Sequence, residues 1–286
     1  MEIMRSCSCS EDACATNKRF SVAFLNHDEK AKDMHNHDLL EIYFSISGGK
    51  WFVIDDSIYP MHDNDVFIIN QFQTHRPEVL DDNRHQRYVF TIMPPFLDSI
   101  SSPSTNLLQL FYNSEDFSRR ISLNNLQAKQ MMQMIGKLES VQGHGADLLE
   151  NSILTEIVLM LLNISQPTGS NVILSDNKYI ADILSYIDNS LAKDLSLDAL
   201  SAEFFLSKGY FCRLFKEHTG TTVNKYVLAK RIAAAKKLLA TGHSVQETAL
   251  RTGFNDYASF IRRFTQDVGI SPKRYSRENN MLTTQN

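Results

Sequence analysis

Residues 205–226 and 254–275 carry one pattern twice. A shift of 49 positions lays Phe205 on Phe254, Phe211 on Phe260, Arg213 on Arg262, Phe215 on Phe264, Gly220 on Gly269 and Tyr226 on Tyr275. Ser207 falls on Asp256, a different residue with the same ability to cap a helix. A repeat of aromatic residues at helical spacing restricts the fold more than any other feature of the chain. Each copy must be one supersecondary unit with a stripe to bury.

Each copy has the layout of a helix-turn-helix. A first helix is expected at about 197–203 and about 245–251, after Ser196 and Ser244, and Ser244 with Glu247 has the spacing of a capping box. A second helix begins near Ser207 or Asp256. It buries Phe211, Leu214 and Phe215 in one copy, Phe260 and Phe264 in the other. Arg213 and Arg262 lie two residues past the first of these phenylalanines, about 200° around a helix, and so face away from the core. In a helix-turn-helix that face enters the DNA major groove, where arginine pairs with guanine. A solvated surface arginine is the plain alternative, and recurrence in both copies weighs against it.

The intervening run "TVNKYVLAKRIAAAKKLLATG" ends at Gly242, suited to a left-handed cap. Its ~18 helical residues span about 27 Å, a strut able to hold the two second helices roughly one DNA turn, ~34 Å, apart. Lys230, Arg231, Lys236 and Lys237 lie on it, for solubility or for phosphate contact.

Charge agrees with this division. Residues 176–278 hold 16 Lys+Arg against 11 Asp+Glu, a net +5, and the remainder carries −9, for −4 in total. Contact with a polyanion therefore belongs to the back half. The 286 residues leave room for a second domain. No stretch reaches the ~18–20 apolar residues of a membrane span and no leader pattern is visible, so the expected compartment is the cytoplasm. Cys7, Cys9 and Cys14 crowd a polar arm, read as reduced thiols on a mobile terminus, with a soft-metal or redox cluster as the alternative.

From Phe20 to Met93 the chain breaks into short β-branched or aromatic runs, "FSVAFLN", "LLEIYFSIS", "KWFVID", "SIYPM", "DVFIIN" and "QRYVFTI", separated by turns such as Gly48-Gly49 and Asp63-Asn64. Regular short strands suggest a barrel or sandwich. Beyond Pro94-Pro95, residues 123–139 and 146–165 recur at helical spacing. In the second, Leu149, Ile153, Ile157 and Met160 form a stripe for a core or a partner chain. "QPTGSN" (166–171) reads as a linker. Within the strand region stands "MHNHDLLE". Alternate side chains of a strand share a face, so His35, His37 and Glu41 point one way, and His75 follows from a later strand. Three imidazoles and a carboxylate suit a divalent transition metal. A ligand pocket and a purely structural role are the alternatives, and Tyr43, Trp51 and Arg76 are further candidates for its walls.

The run "GFNDYASFIRRFTQDVGISPKRYSR" (253–277), preceded by "RIAAAKKLL" and "SKGYFCRLFKEHTG", resembles the DNA-binding domain of the AraC/XylS family of bacterial transcription regulators. The resemblance covers about 176–278 and implies two recognition helices in successive major grooves. By position it places base-facing residues at Lys208, Gly209, Cys212 and Arg213 in the first helix, and at Tyr257, Ala258, Ile261 and Arg262 in the second. Gly209 and Cys212 offer little to a base edge, whereas Ile261 suits a thymine methyl. Segment 20–100 resembles the cupin-like sensor domain of such regulators. From Glu41 the spacing to Gly48 completes the first half of a cupin signature, while Asn64 and Asn70 replace a glycine and a proline of the second half.

The chain is accordingly expected to be α+β. The parts are a Cys-containing arm (1–19), a cupin-like ligand-sensing barrel (20–100), a helical dimerisation segment (101–165), a linker (166–175), the double helix-turn-helix (176–278) and a polar tail (279–286). The expected function is a sequence-specific, non-enzymatic transcription regulator, controlled by a small-molecule effector, a sugar by family resemblance, at His35, His37, Glu41 and His75. The same four residues are the candidate metal ligands, although no cofactor is required. Double-stranded DNA, a second copy of the chain and, for an activator, RNA polymerase are the expected partners, with no membrane. A cupin-type metalloenzyme with an appended DNA-binding module and an effector-independent dimeric regulator are the alternatives.

Overall fold

The structure, a computed structural model, describes residues 1–26, 34–78, 85–112, 119–165, 178–219 and 221–283. The expected linker (166–175) lies outside them, as does Gly220.

Helix α1 (Cys7–Asn17) takes the place of the mobile arm. Ser6 Oγ accepts from Cys9 N at its start, and Lys18 closes it in the left-handed conformation. No apolar stripe marks this helix in the sequence. Its buried Ser10 instead meets Ser21 at 2.6 Å and Thr91 at 2.7 Å, hydroxyls that satisfy one another on the strands beneath.

The strands are β1 (Phe20–Leu25), β2 (Leu40–Ser47), β3 (Trp51–Ile54), β4 (Ser57–Pro60), β5 (Asp65–Ile69), β6 (His75–Glu78), β7 (Gln86–Ile92) and β8 (Arg120–Ser122). They form two antiparallel sheets, β1-β7-β2-β5-β8 and β4-β3-β6. Both faces of the larger sheet are covered, so its strands read as continuous apolar runs. Ile42, Phe44, Val66, Ile68 and Phe90 face one core. Tyr43, Phe67, Ile69 and Val89, at the alternate positions, meet Phe52, Ile54 and Tyr59 of the smaller sheet in another.

The first core is closed by α2 (Pro94–Ser99), α3 (Gln109–Tyr112), α4 (Asn125–Ser140) and α5 (Ala146–Ile164). The boundary expected at residue 100 is therefore no break in packing. β8 pairs with β5 from beyond it, and Ile153 and Ile157 of the expected dimer stripe are buried in their own chain's core.

The back half is helical throughout: α6 (Lys178–Asn189), α7 (Leu197–Glu203), α8 (Lys208–Thr219), α9 (Val223–Ala240), α10 (Val245–Arg251), α11 (Tyr257–Val268) and α12 (Pro272–Thr283). The last of these occupies much of the expected tail. The repeat survives as geometry. Phe215 and Tyr226 meet edge-on at 5.3 Å and 81°, and Phe264 and Tyr275 at 5.5 Å and 76°.

The turn follows a different register. Leu206 N donates to Ser201 O, and Phe254 N to Ala249 O, so Leu206 is the counterpart of Phe254. Phe205 corresponds to Gly253. Both have positive φ, +53° and +79°, and Phe205 is 94% exposed. The first helices are offset by one residue less than the second, and Asn255 takes up the difference. Ser244 caps Glu247 N, but the Glu247 carboxylate pairs with Arg251 at 2.8 Å instead of closing the expected box.

Sensor and back half share a core. Met34, Val53 and Ile58 pack with Ile183, Ile187 and Val227.

Candidate functional site: nucleic-acid interface and histidine cluster

Helices α8 and α11 are oriented by what they bury. Phe211, Leu214 and Phe215 in one, and Phe260 and Phe264 in the other, turn the opposite faces outward. Asp256 caps the second by accepting from Ala258 N and Ser259 N, leaving the following turn open to the outside. Lys208, Gly209, Cys212 and Arg213 are exposed on α8, and Tyr257, Ala258 and Arg262 on α11. Ile261 is half-buried and shares its surface with the second unit's core. Arg213 stands 5.7 Å over the Tyr210 ring, and Lys208 pairs with Asp198 at 2.7 Å. These contacts are solvent-exposed and weak, so a phosphate or base edge competes with them readily.

The basic residues of α9 divide. Lys230 and Lys236 are each 6% exposed and turned to the sensor domain. Lys230 Nζ meets Asp55 at 3.0 Å and Asp188 Oδ2 at 2.6 Å, and Lys236 meets Asp38 at 2.7 Å. Tyr226 Oη donates to Asp55 O alongside them. Burial works against charge on both Asp55 and Lys230, yet Lys230 holds the Asp55 carboxyl below its usual range. Arg231 donates to Leu191 O and Lys193 O, tying the first unit to the strut. Phosphate contact by these three is thereby corrected. Only Lys237 of the four is exposed. Between the units lies a groove of about 500 Å³, lined in part by Lys193, Lys225, Arg231 and Arg263. Sequence reading missed it because its walls come from both copies.

The four predicted sensor residues come together. His35 pairs with His75 through an isolated antiparallel bridge, and their rings lie 4.3 Å apart. Nitrogens of His35, His37 and His75 lie within 4.8 Å of one another. Glu41, 5% exposed, places Oε2 2.9 Å from His37 Nε2 and 3.6 Å from His75 Nε2. Burial opposes charge here too. His75 and His37 nonetheless hold the Glu41 carboxyl well below its usual range, and Glu41 holds His75 above its own. The other wall candidates do not join. Tyr43 is a core ring against Phe52 with its hydroxyl 2.5 Å from His85 Nε2, Trp51 packs toward the shared core, and Arg76 pairs with Glu78. Cys14 is buried and its thiol is pushed up to about 12, which removes it as a ready thiolate. Asn36, Asp38 and Asp55 went unnoticed in the sequence, although "MHNHD" already alternates two residue types.

A duplicated helix-turn-helix behind a sheet domain with a clustered polar site defines a DNA-binding transcription regulator with a ligand-binding domain. Two family models match the chain: an AraC-like ligand binding domain over residues 19–158 and a helix-turn-helix domain over residues 200–278. The probable transcriptional regulator LumQ of Photobacterium leiognathi is 27% identical over 255 residues, 86% of this chain and 93% of its own. The TetD protein of transposon Tn10, from Escherichia coli, is 37% identical over 99 residues, 34% of this chain and 72% of its own. Among solved structures, wild-type ToxT from Vibrio cholerae bound to an unsaturated fatty acid is similar, at 16% identity with a TM-score of 0.39, covering 91% of this chain and 95% of that one. The chain belongs to the AraC/XylS family of transcription regulators.

Proposed function

We propose that the chain is an effector-controlled activator that binds one asymmetric DNA site through α8 and α11, acting by binding and not by turnover. The carrying observation is the pair of capped helices whose outer faces, with Arg213 and Arg262 at matching positions, are open. Lys208, Gly209, Cys212, Arg213, Tyr257, Ala258, Ile261 and Arg262 line those faces, and the effector site is His35, His37, Glu41 and His75. The names of similar regulators, which include the HTH-type transcriptional activators RhaR and RhaS, support activation and hence contact with RNA polymerase in the cytoplasm. Exposed Leu126, Met132, Leu148 and Leu149 on α4 and at the start of α5 support a dimer contact, in which Leu149 of the expected stripe remains available while Ile153 and Ile157 are buried.

Selection of bound fragments from a random DNA pool, followed by gel shifts of the recovered site, tests the reading. Affinity should fall steeply with salt, as counterions released from phosphates require. Recovery of no preferred sequence would overturn it.

A further inference from the structure

The groove between the two helix-turn-helix units carries an inference that rests on the DNA reading and deepens it. Its walls belong to different units. Lys193, ahead of α7, stands on one side; Asn255, ahead of α11, and Arg263, on that helix, stand on the other. Residues of α9, among them Asn224, Lys225 and Arg231, form the floor.

The direction in which the groove opens follows from α9. Successive helical residues turn by about 100°, so Asn224, Leu228 and Arg231 share a side, roughly 180° around from Tyr226, Lys230 and Lys236. The latter three touch the sensor domain. The groove therefore faces away from the sensor. It also joins the two reading faces. A smaller hollow of about 130 Å³ is lined by Cys212, a base-facing position of α8, with Lys216 and Asn224, and Asn224 is common to both. At the other end Arg263 follows Arg262 along α11. One track thus leads from α8 to α11.

The track is cationic. Among the described residues its larger part is lined by Lys193, Lys225, Arg231 and Arg263 against a single carboxylate, Asp194, which accepts from Ser196 N at 2.9 Å. Arg231 is committed to the walls. It donates to Leu191 O and Lys193 O, and Gly253 closes so tightly on it that a Cβ would stand 2.8 Å from its Nη2. Lys193, Lys225 and Arg263 are exposed and supply the charge at the opening. Two helices reading successive major grooves from one side leave the minor groove, edged by both phosphate backbones, facing the protein between them. A track open at both reading faces fits that continuous polyanion, and contacts to phosphates fix register without reading bases.

We propose that the groove is a third DNA contact, in which Lys193, Lys225 and Arg263 hold the phosphate backbone of the base pairs between the two half-sites. Arg231 acts as a positioning residue that keeps the two walls together. The intervening base pairs are then held and not read, and the contact ties the half-sites to one spacing.

The test uses the full chain and the site recovered from the random pool. In Lys193→Gln/Lys225→Gln/Arg263→Gln the plot of log affinity against log salt should become shallower by about 2–3, and affinity at moderate salt should fall about tenfold or more. The sequence that this variant selects should stay that of the parent. Uncharged methylphosphonate linkages placed only between the half-sites should weaken the parent in the same way, and should have little further effect on the variant. The second arm alters the DNA alone, so it holds even where the variant folds poorly. An unchanged salt slope, or parent binding indifferent to the neutral linkages, overturns the groove contact while base reading by α8 and α11 stands. A variant that selects a different sequence overturns it too, since these residues would then read bases. A parent that selects no sequence overturns the DNA reading and the groove contact with it.

Discussion

Gly253 and Phe205 occupy the same corner of the two helix-turn-helix units and make opposite demands on a substitute. A Cβ on Gly253 would lie 2.1 Å from Leu191 O and 2.8 Å from Arg231 Nη2. The left-handed conformation alone costs alanine about 1–2 kcal/mol. The overlap also displaces Arg231, whose guanidinium donates to Leu191 O at 3.1 Å and Lys193 O at 2.9 Å. Hydrogen bonds from a charged donor contribute about 1.5 kcal/mol or more each, less where water reaches them. Gly253→Ala should therefore lose about 3–5 kcal/mol. Phe205→Gly relieves a bulky residue of a left-handed φ, offset by about 0.5–1 kcal/mol of added chain entropy, so the net change is a gain of between zero and about 1 kcal/mol. Urea unfolding of the full chain, followed by far-UV circular dichroism because the back half is helical, measures both. The reasoning fails if Gly253→Ala stays within about 0.5 kcal/mol of the parent, or if Phe205→Gly is the more damaging change.

Arg262→Ala should cost about 1–3 kcal/mol of specific binding and relax preference at one base pair, read in a gel-shift series against single-base operator variants; equal affinity for every variant before and after would contradict it. In native protein an alkylating reagent should modify exposed Cys9 and Cys212 well before Cys14, whose raised thiol stays protonated at neutral pH. Asp55 has a depressed folded pKa, so its contribution is full above the unfolded carboxyl value near ~3.9 and fades as pH falls through the folded one. Facing it are Lys230, with Asp188 beyond, and Tyr226. Asp55→Asn should flatten the acid limb of the stability–pH curve, and an unchanged limb would refute this.

The strands with apolar character were legible in the sequence, and so were both helix-turn-helix units, because aromatic periodicity decides burial at each position. β6 was not. "HRPE" has no strand composition and pairs with β3 as an edge, where Pro77 is tolerated. β8 is only three residues long and is defined by its partner β5. Helix α1 rests on a hydroxyl cluster that only the folded sheet assembles. The four sensor residues come together, but not by the alternation expected of one strand: His35 and His37 precede β2, and an isolated bridge from His35 to His75 brings them to Glu41. Their tie to α9 lies roughly 200 residues away in sequence, as Asn36 to Lys236 shows, and no local pattern announces it.

The one-residue difference between the turns has a consequence for the DNA. The two reading helices are covalently ordered, differ at nearly every outward position and enter through corners of unequal length. On the proposed reading a single chain recognises two unlike half-sites in a fixed sequence, and its target has a direction. Inverting that target relative to a promoter would present the sensor domain to the opposite flank, so orientation, and not only distance, should decide whether the bound protein acts on transcription.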